Sequence, residues 1–311
     1  MRKSKPFARL QFQGGVILAL SWLALTTSLV FAGQNEALDT ALQNASYEGI
    51  EDQPITLKDG HWQGDPYVEG GASRPTAGLI NDFHFNADLN DNGHQEVVSF
   101  LWQSSGGSGS DIYLAVMHYQ GDSVENIATA LVGDRVKLIH GKVESGQIFV
   151  EVLQAGEDDA MCCPTQLAIR SWTMESGRLQ EGKAEVTGKL ALAVLKDLNW
   201  VLTGMNQAVP PDEGFGASLS FVEDRIVGKS ACNRYSANII DGENPGDIII
   251  GPAMGTRMAC PEGIMQIESE YLASLARVNA FSFLSGQLLL TGQDTDGSTV
   301  QLRFKRSQQG L

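Results

Sequence analysis

Between Asp88 and Glu96 the chain sets oxygen side chains at the spacing of a cation-binding loop. In Asp88-Leu-Asn90-Asp-Asn92-Gly93-His-Gln-Glu96, Asp88, Asn90, Asn92 and Glu96 stand at positions one, three, five and nine, with glycine at six. A loop of this kind wraps a hard cation, and calcium takes roughly six to eight oxygen ligands. Asn90 and Asn92 carry no charge, which weakens the site, and position twelve is Ser99 instead of a bidentate glutamate. The competing reading is an Asx-rich turn between two strands. Calcium is the cofactor this loop would take, with an affinity on the order of millimolar.

The loop is similar to the calcium loops of integrin-type β repeats and of EF-hand-like motifs. The remaining reactive side chains are dispersed. His61, His84, His94, His118 and His140 are scattered, and no Gly-x-Ser-x-Gly elbow or His-Glu-x-x-His helix occurs. Paired carboxylates such as Asp158-Asp159 do acid–base work only when a cleft holds them; exposed turn charges are the plainer reading. The four cysteines include no Cys-x-x-Cys unit, which argues against zinc. Cys162 and Cys163 are adjacent. They have three readings: a disulfide with each other, bridges to separate partners, or free thiols. Ser104-Ser-Gly-Gly-Ser-Gly-Ser110 lacks the Gly-Lys-Ser/Thr ending of a phosphate loop and reads as a strand connection.

The elements that must position these residues are strands. Segments 95–102, 111–119, 135–140, 147–153 and 166–173 are rich in strand formers. Ser145-Gly146 marks a hairpin turn, and Gly, Asn and Asp punctuate the rest. This pattern predicts antiparallel all-β architecture over residues 33–185. A junction follows over residues 186–196, where side chains are small and mixed. Residues 197–311 form a second domain. Strands are expected there at 198–202, 217–222, 225–229, 247–251, 280–284, 287–291 and 299–304. Ile264, Ile267, Tyr271, Leu275 and Val278 recur at helical steps, so 261–277 is predicted as one amphipathic helix.

The N-terminus sets the expected compartment. Arg2, Lys3, Lys5 and Arg9 precede an uncharged, mostly apolar stretch, and Val30-Phe31-Ala32 offers a cleavage site. Residues 1–32 therefore read as a secretory signal peptide followed by helix-poor sequence; the competing reading is an uncleaved membrane anchor, since the apolar run approaches the length of a spanning helix. The expected location is the periplasm or cell envelope of a bacterium, with no membrane association once the leader is removed. Export favours disulfides over thiolate metal sites. A formal net charge of −15 argues against nucleic acid and anionic membranes as partners.

Residues 198–306 resemble the META, or HslJ-type, domain. The resemblance rests on Trp200, on Cys232-Asn233-Arg234-Tyr235, on Thr256-x-Met258-Ala-Cys260, on Glu268, and on Leu302-x-Phe304 at the end of the final hairpin. Ala231 departs from it, since glycine is usual before the cysteine. The resemblance implies a small bent β-sheet or barrel with one packed helix, and a Cys232–Cys260 bond. It also implies an envelope protein linked to heat or antibiotic stress, without established catalytic residues. The mainly β chain is thus expected to be a non-enzymatic binding or protective module. Its partner would be an envelope protein or a polysaccharide. Alternatives are a hydrolase sited in the first domain and a calcium-dependent carbohydrate or protein binder.

Overall fold

The computed structural model of the protein describes residues 36–307 apart from 82, 90–92, 94, 121, 122, 161, 209, 212 and 213. The expected leader, residues 1–32, lies outside the described residues. The stretch after it is not helix-poor as expected: residues 36–43 are helical. Leu38 and Leu42, one turn apart, are buried, which gives this short helix its apolar face. The Tyr47 hydroxyl donates to the Leu42 carbonyl at 2.9 Å and ties the helix to a small hairpin, Ser46–Tyr47 with Ile55–Thr56.

Helix and hairpin cover one face of an antiparallel sheet. Its strands run in the spatial order His61–Gln63, Thr76–Leu79, Glu96–Ser104, Asp111–Gln120 and Ser123–Asp134, with Phe85–Ala87 also paired to Glu96–Ser104. A second antiparallel sheet packs on the opposite face. Its order is Arg178–Glu181, Gln166–Glu175, Gln147–Gln154 and Lys137–Glu144, with Glu185–Lys189 added to Gln166–Glu175. Because side chains alternate along a strand, Val97 and Leu101 meet the helix layer while Val98 and Phe100 meet the second sheet. Burial on both faces explains why 97–101 reads as an almost unbroken apolar run.

The region assigned to the junction holds most of the strand Glu185–Lys189 and a 3-10 turn at Leu192–Leu195. Beyond it, eight strands curl into a nearly closed barrel. The order is Ile248–Ile250, Arg234–Asp241, Arg225–Ser230, Ala217–Val222, Asn199–Met205, Thr299–Arg306, Gln287–Gln293 and Val278–Leu284. The two ends meet through an Asp247–Ala280 bridge and a hydrogen bond from Phe281 N to Gly246 O of 2.8 Å. The helix Glu262–Leu275 starts after Pro261, which fits its terminal position. It packs on the barrel through Tyr271 and Leu275.

The barrel shares its core with the second sheet: Ile139 and Leu153 belong to the same buried cluster as Trp200, Phe281 and Phe283. Lys137 Nζ donates to Ser282 Oγ at 2.9 Å, and Gly286 N donates to Leu138 O at 2.9 Å across the same seam.

Candidate functional site: a polar network under the barrel helix

The motif residues converge on Glu268, which is only 8% exposed. Its carboxylate accepts bonds from Ser230 Oγ at 2.7 Å, Asn233 N at 2.7 Å and Asn233 Nδ2 at 3.0 Å. Burial pulls its pKa up. The bonds from Asn233, Ser230 and the Cys232 backbone outweigh that pull and hold it below the usual glutamate value.

Asn233 joins three separate segments. Its second amide hydrogen goes to Met258 O at 3.2 Å. Its Oδ1 accepts from Met258 N and from Thr256 Oγ1, both at 2.7 Å. An amide side chain has two donors and two acceptor lone pairs, so all four positions are used. The Cys232–Cys260 disulfide, with Cα atoms 6.1 Å apart, closes the same loop covalently.

The other motif residues have separate structural roles. Tyr235 and Tyr271 hydroxyls lie 2.6 Å apart, and Tyr235 reaches Ser218 O at 3.4 Å. Burial raises both phenols above the ordinary tyrosine pKa, so they stay protonated at neutral pH. Trp200 is buried beside Phe283. Arg234 pairs its backbone with Thr256, while its side chain faces solvent. Ala231 has a φ of 79°, in the left-handed region. That explains why the resemblance led one to expect glycine there.

Met258, like Arg234, turns its side chain to solvent, and it is the large apolar motif residue that does so. Asn233 fixes its backbone on both sides, yet the side chain is 57% exposed. Met254, on the short strand Met254–Gly255 just before, is 67% exposed, and Ile264 and Met265 on the first helical turns are 38% and 37% exposed.

The Asp88 loop is partly described. Asn90, Asn92 and His94 lie outside the described residues. Asp88 Oδ2 accepts from Gly93 N at 2.9 Å, and the buried Glu96 accepts from Leu89 N at 3.0 Å. Both carboxylates therefore brace the loop backbone. Among the described residues, no three His, Cys, Asp or Glu side chains are grouped to hold a metal.

Cys162 and Cys163 are bonded to each other on an exposed loop. Asp159 clasps that loop by accepting from Gly156 N at 2.9 Å, Thr165 N at 2.6 Å and Thr165 Oγ1 at 2.7 Å. Those bonds hold its carboxyl at about 2. Asp159 thus has a local structural role.

Of the histidines, His61 lies beside Trp102, while His84 and His140 line one cleft between the first domain and the barrel. Lys305 and Arg306 line the same cleft. The reading of separate histidines missed this grouping. The available signal was a Lys-Arg pair closing the last strand of an acidic chain.

Residues 193–308 match the META domain family. A search of curated proteins found no match. Among solved structures, the NMR structure of a protein from Burkholderia xenovorans is 28% identical, with a TM-score of 0.31. The match covers 38% of this chain and 86% of that one.

Proposed function

We propose that this is an exported bacterial envelope protein that works by surface contact, holding apolar segments of other envelope proteins during stress. The supporting observation is the pinned backbone and exposed side chain of Met258. Most motif side chains are consumed in hydrogen bonds and packing, and the hydroxyl that meets a carboxylate there, Ser230 on Glu268, is fully buried, out of reach of a substrate that covalent hydrolysis needs. The network instead presents Met258, with Met254, Ile264 and Met265 exposed nearby in the sequence. Methionine is polarisable and flexible, which suits partners of variable shape.

The expected outcome is that the purified mature protein suppresses heat aggregation of a model unfolded polypeptide at stoichiometric ratio. A Met254→Glu, Met258→Glu double variant loses that suppression without a lower melting temperature. In cells, deletion sensitises the envelope to heat, and the double variant fails to rescue. Full protection by the double variant overturns the reading, as does a single histidine substitution that abolishes protection in a folded, exported protein.

A further inference from the structure

We propose that the cleft between the first domain and the barrel binds a small organic anion through its phosphate or carboxylate oxygens. Its volume of about 600 Å³ suits such a ligand. The walls come from residues 83–85 and 139–141 on one side and 285–287 and 305–307 on the other.

Charge is the first support. The chain carries 37 acidic and 22 basic residues, four of the basic ones within the first nine positions. Against that background, the described lining residues include His84, His140, Lys305 and Arg306 and no carboxylate. A guanidinium presents a planar fork of donors that fits carboxylate and phosphate alike. The surrounding acidic surface disfavours extended polyanions and anionic membranes, so a small ligand is the one that reaches the cleft.

Construction is the second support. Gly141 lies so close to Phe85 that a Cβ there would stand 2.2 Å from the ring. Gly286, with φ +75°, lies so close to Phe83 that a Cβ would stand 2.5 Å away. Gly286 N also bonds Leu138 O across the domain boundary. The cleft is therefore built into a fixed seam, and a preformed site loses less ordering entropy on binding.

The electrostatics of the wall agree. Burial, followed by Arg306, pushes His140 below the ordinary imidazole range; Glu151 opposes that shift and Lys142 adds to it. His84 stands 3.6 Å from the Asp39 carboxylate. At neutral pH the positive charge facing the ligand beside His140 comes from Arg306. His140, held below the ordinary imidazole range, is neutral there and lines the wall without adding charge. This inference is independent of the methionine surface, which involves other residues.

The test is titration of the mature protein with glucose 6-phosphate, citrate and neutral glucose at constant ionic strength. Calorimetry and thermal shift provide the readouts. One or both anions should bind at neutral pH with a Kd on the order of millimolar or below, and glucose should not. The phosphate and carboxylate probes separate the two chemistries. Arg306→Gln should weaken binding about tenfold or more. Amide resonances of His140, Gly141 and Gly286 in the unaltered protein should shift on titration, which guards against a misfolded variant. No binding by either anion, unchanged binding by Arg306→Gln, or shifts confined elsewhere would overturn the proposal.

Discussion

Asn233 shows how one side chain can fix a loop that carries no regular structure. Its amide holds Met258, Thr256 and Glu268 together, and the disulfide Cys232–Cys260 adds a covalent tie. Next to it, Ala231 occupies a conformation that costs an L-residue roughly 1–2 kcal/mol. Glycine removes that strain but loses roughly 0.5–1 kcal/mol of backbone entropy on folding. Ala231→Gly should therefore stabilise the protein by about 0.5–1 kcal/mol, read as a higher urea midpoint at unchanged slope. A lower midpoint would mean that the buried Ala231 methyl contributes packing worth more than the strain. The importance of these residues was legible only through family spacing. Asn233 and Glu268 are 35 positions apart, and nothing local in either sequence announces the bond. The Asp88 spacing was legible, but spacing alone does not say where a carboxylate spends its oxygens. Asp88 and Glu96 both accept backbone bonds inside their own loop.

The helix Glu262–Leu275 was legible from period, and its packing on the barrel only through the resemblance. Tyr271 and Leu275 are buried as the period requires, yet Ile264 at the start of the same stripe is 38% exposed. The buried position between them is Glu268, a charge that no apolar periodicity can predict. The strand Arg234–Asp241 was missed for a related reason. Tyr235, Ala237 and Ile239 alternate inward, but the segment was read only as part of the family motif. Ser123–Asp134 was missed because this edge strand buries a single side chain, Val132, so its sequence carries little apolar signal. Glu268 couples the helix to the strand end, which gives a pH prediction. Its native pKa lies below the ordinary value, so its stabilisation is complete above the unfolded-state pKa and is lost as pH falls through the native one. Glu268→Gln should be less stable than the parent at neutral pH, with the gap closing on acidification. Chemical denaturation from about pH 7 to pH 3 would check this. A gap that stayed constant with pH would show that the loss comes from geometry and not from the carboxylate's charge.

At the scale of the whole molecule, the two domains are bound by a shared core. Ile139 and Leu153 come from the second sheet but belong to the buried cluster built around the barrel's Trp200, Phe281 and Phe283. The strand Glu185–Lys189 and the turn Leu192–Leu195 continue the fold across the boundary, where the sequence's small, mixed residues suggested only a connection. Loosely joined domains melt separately, whereas a continuous apolar interface makes unfolding of one expose the core of the other. Calorimetry should therefore show one cooperative transition for the mature protein. Leu153 is fully buried, and its truncation should cost about 2–5 kcal/mol. In Leu153→Ala the single transition should move to lower temperature, with the barrel's Trp200 environment and the first domain's β-signal lost together. Two transitions, with the barrel melting at its original temperature, would show that the seam does not join the domains into one folding unit.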